Sequence, residues 1–277
     1  MRLASLMLFS AALLLAQGVP MEPARDAGNS LTGSFEGWFK NADGTFSLLI
    51  GYYNRNQKQE VDIPIGPENK IEPGGPDQGQ PTHFVPGRGW GVFTIQVPAN
   101  FGQNKLNWTL TANGKTTVIP LNLKSEWEIS PFVEFSVGNT PPALSFEEKG
   151  PSVQGPRLLQ VQRTAKIGDA LPLTLWVADD AKYTSNSGAR PKVMPPAVTL
   201  RWTLYRGPAQ VSFREERPAV VSSTGTAAFN GKASTTVGFS EPGEYILQVM
   251  ANDYSGEGGS GFQCCWSTAR VKVNVAR

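Results

Sequence analysis

Glu241-Pro-Gly-Glu-Tyr-Ile-Leu-Gln-Val-Met-Ala-Asn-Asp253 is the stretch that decides the fold of this chain. A Pro-Gly turn precedes Tyr245, Leu247, Val249 and Ala251, which recur at every second position, and the run closes on an acid. Successive side chains of a strand point to opposite faces, so this spacing lays four groups on one side of a sheet. The segment is a half-buried strand entered through a tight corner, and it belongs in a β-sandwich. It carries no reacting group. The chain therefore speaks more plainly about architecture than about chemistry.

Working outward, alternating apolar runs at 158–163, 171–177, 198–205, 210–213, 233–239, 245–252 and 269–275 make up a C-terminal block. About seven strands at this spacing are what an immunoglobulin-like sandwich needs. Leu171, Leu173, Leu175 and Val177 share one face of the second run; Val198, Leu200, Trp202 and Leu204 share one face of the third. Trp202 is expected to pack on Leu175 and Leu247, with apolar contact in place of the inter-sheet disulfide of antibody domains. Tyr245 sits where a tyrosine corner bonds back across the preceding turn.

Through Leu171-Pro-Leu-Thr-Leu-Trp-Val-Ala-Asp-Asp180, Leu200-Arg-Trp202, Glu241-Pro-Gly-Glu-Tyr245 and Ala251-Asn-Asp253, residues 157–277 resemble the PKD-like and cadherin-like (immunoglobulin-like) modules of secreted bacterial proteins. The resemblance implies a fold; such modules serve as adhesion units, spacers and ligand platforms alike. The whole chain also looks like exported bacterial two-domain proteins.

A second set of runs, 34–40, 45–53, 60–65, 91–97, 105–112 and 115–121, assigns an N-terminal β-sandwich to residues 31–138. Asn113-Gly114 between the last two is a strong hairpin signal, and Asp43-Gly44 marks another turn. Pro and Gly crowd residues 139–156, which reads as an inter-domain linker. Residues 1–18 have the basic start, short apolar core and small-residue end of a signal peptide, and 19–30 read as a disordered leader. The expectation is an all-β protein of two β-sandwich domains, exported to the periplasm or the cell exterior. The mature chain carries no transmembrane segment.

Twenty-five basic residues against 23 acidic ones, a formal net charge of +2, give no field to draw in nucleic acid. There is one histidine, His83, and no Gly-x-Ser-x-Gly elbow, zinc spacing, phosphate loop or dinucleotide fingerprint accompanies it. Carboxylates for a hydrolase (Glu36, Asp62, Glu126, Glu128) are present without anything to single them out. A binding protein that is not an enzyme is the leading reading, with a protein or glycan of the cell envelope as partner. A structural spacer is the alternative and a hydrolase the third.

Three places are candidates. The long connection 66–89 holds His83, Phe84 and Arg88, with Trp90 beside it, and aromatic and Arg side chains anchor sugars or proteins. Asp179, Asp180, Asp253 and Glu257 fall at one end of the C-terminal sandwich, where carboxylates can hold calcium; no other cofactor is expected. Cys264 and Cys265 are adjacent, and the readings are a vicinal disulfide in a non-strand turn, two free thiols with one buried, or a metal or inter-chain link.

Overall fold

The computed structural model describes residues 22–183, 192–222, 231–257 and 264–277. The segment expected to be a signal peptide lies outside them. Among the described residues there is no α-helix, and none long and apolar enough to cross a membrane.

The first block places β1 (Leu31–Lys40), β2 (Phe46–Asn54) and β6 (Gly87–Val97) in one antiparallel sheet. Opposite it stand β4 (Asn69–Glu72), β7 (Lys105–Ala112) and β8 (Lys115–Asn122), while β3 (Val61–Asp62) and β5 (His83–Phe84) pair alone. Leu48, Ile50, Phe84, Phe93 and Trp108 fill the space between the sheets. The hairpin joining β7 to β8 turns at Asn113 and Gly114, both with positive φ, as its Asn-Gly sequence requires.

In the second block β9 (Ala143–Ser145), β10 (Ser152–Gln154), β12 (Leu171–Ala178), β14 (Val211–Phe213) and β16 (Gly231–Phe239) form a sheet ordered β10-β9-β12-β16-β14, with β15 (Val221–Ser222) also on β16. The facing sheet runs β11 (Leu159–Lys166), β18 (Trp266–Ala276), β17 (Gly243–Asn252), β13 (Thr199–Arg206). β11 lies parallel to β18, and the other pairs are antiparallel. This is the immunoglobulin-like strand order, with the third, sixth and seventh principal strands facing the first, second, fifth and fourth. Trp202, Leu175 and Leu247 lie in one buried cluster, as their alternation requires. Tyr245 Oη donates to Glu241 O at 2.9 Å across the Pro-Gly turn, closing the tyrosine corner.

Two expectations about the connecting segments need correction. The supposed leader is ordered from Glu22: Ser30 N and Oγ donate to the Glu22 carboxylate, Arg25 bridges to Asn56, and Asn29 is buried. Its polar groups find backbone partners, which composition does not reveal. The supposed linker 139–156 carries β9 and β10, and β9 pairs with β12. β10 is the edge strand, bonded on one side only, and β9 is three residues long with its prolines, Pro141 and Pro142, lying before it.

The two blocks touch extensively. The outward side of the β13-β17-β18 layer carries Arg201, Tyr205, Gln248, Asn252, Trp266 and Arg270, and all but Arg201 are buried. Alternation predicts outward positions that are wet; here the first block covers them.

Candidate functional site

The long connection turns out to bind the second block. Arg206 grips Asp77 at two points, Nη2–Oδ1 2.8 Å and Nη1–Oδ2 3.0 Å, and its Nε donates to Gln80 O at 2.8 Å. Thr82 N donates to Tyr205 O at 3.1 Å, and Tyr205 Oη bonds Gly79 O. Tyr205 thereby enters the core of the first block. Further along, Arg270 stacks 3.7 Å over the Tyr205 ring and donates to Gln248 and to Val92 O. Gly91 is needed at its place: its φ is +48°, and a Cβ there would come within 2.5 Å of the Trp266 indole.

Above this seam lies a pocket of about 50 Å³ lined by Tyr52, His83, Arg88, Trp90, Arg201 and Asn252, among others from both blocks. Three of the four residues expected to bind a ligand reach it. Arg88 stacks 4.3 Å from the Trp90 ring while donating to Ser34, to Tyr52 O and, at 2.8 Å, to Glu36. Burial pushes the Glu36 carboxyl up to about 7, against the pull of Arg88 and of the Gly91 N–H that it accepts at 2.7 Å. His83 is held between Asp62 (Nδ1–Oδ1 2.7 Å) and Glu60 (Nε2–Oε2 3.6 Å), and its side chain is buried. The fourth, Phe84, is a correction: it has no exposed surface and packs edge-on against Tyr52, 5.1 Å between centroids. In β5 it points inward, so no ligand meets it.

Arg201, which sequence reading missed, is the group with the most unused capacity. No ion pair or hydrogen bond engages its guanidinium among the described residues, and its Nε is shut from solvent without a partner. Asn252 Oδ1, also lining the pocket, is buried and unpartnered too. An arginine amid apolar alternation was the available signal, because Leu200-Arg-Trp202 assigns it to the outer face. A larger groove of about 880 Å³ runs past Tyr53, Arg55 and Asn56. There Arg55 Nη1 bonds Ser30 and Thr32, and Asn56 bonds Asn54.

The four acidic residues do not assemble as expected. Glu257 reaches Arg217 at 3.2 Å, whereas Asp180 accepts from Thr140 and approaches Lys182. Asp179 and Asp253 stay within electrostatic reach of one another. Among the described residues no three His, Cys, Asp or Glu side chains gather as a metal group. Burial, helped by Asp253 and Asp180, raises Asp179 to about 7, and burial raises Asp253 also. Asn139 Nδ2 donates to Asp253 Oδ2 at 2.6 Å. Beside them Cys264 and Cys265 are joined to each other just before β18 begins, both buried. The free-thiol and inter-chain readings therefore do not describe this structure.

Of the hydrolase candidates, Glu36 and Asp62 are paired as described, and Glu126 and Glu128 are exposed at the 3-10 turn Ser125–Trp127.

Fold and site together define a class: an all-β protein of two packed sandwiches with a polar pocket on their seam. No protein-family model matches the chain, and no curated protein matches it. Solved structures similar to it include domains 4 and 5 of the S-layer protein SbsC, at 11% identity, covering 90% of this chain and 98% of that one with a TM-score of 0.25. The D00-D0 domain of intimin is 10% identical over 90% of this chain and 100% of that one, TM-score 0.28. The Yersinia pseudotuberculosis adhesin InvE is 14% identical over 89% of this chain and 58% of that one, TM-score 0.21. At these scores the likeness carries no argument, and the fold rests on the strand order above.

Proposed function

We propose that the protein is an exported, non-catalytic interaction protein of the periplasm or cell surface, with a protein or glycan of the envelope as partner. The observation that supports this reading is the seam pocket, where the Arg88–Trp90 stack and the unengaged Arg201 meet between two sandwiches. Arginine and tryptophan set in a desolvated recess are the side chains that dominate binding surfaces. The remaining chemistry-bearing groups of the first block, Glu36, Asp62 and His83, are occupied by structural pairs.

The test is retention of envelope proteins and glycans on the immobilised protein, compared with a Trp90→Ala variant of unchanged thermal midpoint. Retention by the wild type and its loss in the variant are expected. A purely structural spacer is the second reading, supported by the ion pair and backbone bonds that tie the blocks together. Retention of nothing by either protein would favour the spacer.

A further inference from the structure

Desolvating a charge without a partner is costly, and proteins avoid it unless a ligand or water supplies the missing contacts. The seam concentrates such unmet groups. Arg201 has no hydrogen-bond acceptor or carboxylate among the described residues, and Arg270, buried on the same outer face, has neutral partners only. The register fixes their relation: Arg201 of β13 stands opposite Met250, and Gln248, two residues on, stands opposite Arg270. Asn252, whose buried Oδ1 lacks a donor, pairs across the sheet with Trp266, whose buried Nε1 lacks an acceptor. The donor the pocket offers is the Arg201 guanidinium, which lines it without a partner.

We propose that the seam pocket takes the side-chain carboxylate of a glutamate or aspartate on a polypeptide partner, with Arg201 as its counter-charge and Trp90 as the wall against its methylenes. This rests on the interaction-protein reading and specifies its ligand. A recess of about 50 Å³ receives a flexible carboxylate stem more readily than the rigid ring of a uronic acid. Geometry agrees, since a guanidinium edge matches a carboxylate in two parallel bonds. Glu257 at the rim does not cancel Arg201, because its own carboxylate is held by Arg217 at 3.2 Å.

The probes are N-acetyl-glutamate amide, its neutral isostere N-acetyl-glutamine amide, and methyl glucuronide, titrated into the full chain while Trp fluorescence and thermal midpoint are followed. The glutamate probe is expected to saturate and to raise the midpoint, as a ligand specific for the folded state must. The glutamine probe and the glucuronide should do neither. Arg201→Gln, which replaces an outward side chain and leaves the inner core untouched, is expected to weaken the glutamate probe by more than about tenfold. Lys58→Gln, which removes an exposed charge paired with Asp26 and not in the pocket lining, is expected to leave it unchanged. Equal binding of the glutamine probe, undiminished binding to Arg201→Gln, or no binding to the wild type would overturn the proposal. Equal binding of the glucuronide would overturn the polypeptide assignment. Envelope partners retained equally by wild type and Arg201→Gln would sink the carboxylate site and leave the interaction reading standing. Probe binding with no envelope partner would do the reverse.

Discussion

Arg206 and Asp77, 129 residues apart in the chain, meet in a two-point ion pair that ties the long connection of the first sandwich to strand β13 of the second. The connection is long because it must leave its own sheet, reach the neighbouring block and return. Its Asp77 carboxylate and the Gly79 and Gln80 carbonyls supply the acceptors that Arg206 and Tyr205 require.

Asp77→Ala should therefore weaken coupling between the blocks more than it weakens either block. A planar two-point pair with Asp77 half exposed contributes on the order of 1 kcal/mol. Arg206 holds the Asp77 carboxyl below its ordinary range. A depressed carboxyl contributes stability above its unfolded value and loses it as pH falls through its folded value. In calorimetry the variant is expected to split or broaden the transition near neutral pH, and to match the wild type in strong acid. A single sharp transition at both pH values would show that the ion pair does not couple the blocks.

Asp179 has the opposite linkage. A carboxyl raised to about 7 is favourable while protonated and becomes a burden as pH climbs from about 4 through 7. Asp179→Asn keeps the acceptor for Ala181 N (2.8 Å) and removes the charge facing Asp253 and Asp180. The thermal midpoint of the variant should exceed that of the wild type at mildly alkaline pH and converge with it in acid. Excess Ca²⁺ is the control: a wild-type midpoint that rises with Ca²⁺, and an Asp179→Asn midpoint that does not, would mean that the carboxylate pair serves an ion instead.

Tyr245→Phe deletes one hydroxyl and leaves the ring buried in the core between the sheets. Glu241 O then loses its 2.9 Å donor, which should cost about 1 kcal/mol in denaturant unfolding with little change in slope. No loss of stability would demote the corner to a coincidence of packing.

Gly91→Ala should be more damaging than either. Its new methyl meets the Trp266 ring at 2.5 Å, and φ of +48° is unfavourable for a residue with a Cβ. Near-ultraviolet circular dichroism should report a displaced Trp266, with destabilisation of about 1–3 kcal/mol. An unchanged spectrum and midpoint would contradict the close seam.

Both cysteine side chains are buried, so alkylation after treatment with a dithiol should require denaturant. Mass spectrometry of native, reduced and denatured samples checks it. Rapid labelling of the native protein would mean that this end of the second sandwich opens.

Local pattern was enough for most strands. Period-two alternation placed β7 and β12 to within a residue, Asn113-Gly114 announced its hairpin, and Tyr245 after Pro-Gly announced the corner. Short pieces escaped it: β4, β5, β9 and β10 span only two to four residues each, too few for a period to register.

What the sequence determined by itself was which face of each strand each side chain occupies, because the pleat makes that a local property of the backbone. What covers that face is not local. The alternation of β13 and β18 gives Arg201, Trp266 and Arg270 outward positions; docking of the first sandwich buries Trp266 and Arg270 and partly buries Arg201. The same docking turned the long loop from a free surface into a clasp, and it left Arg201 without a counter-charge. Such pairings join residues more than 100 positions apart, and no spacing along the chain encodes them.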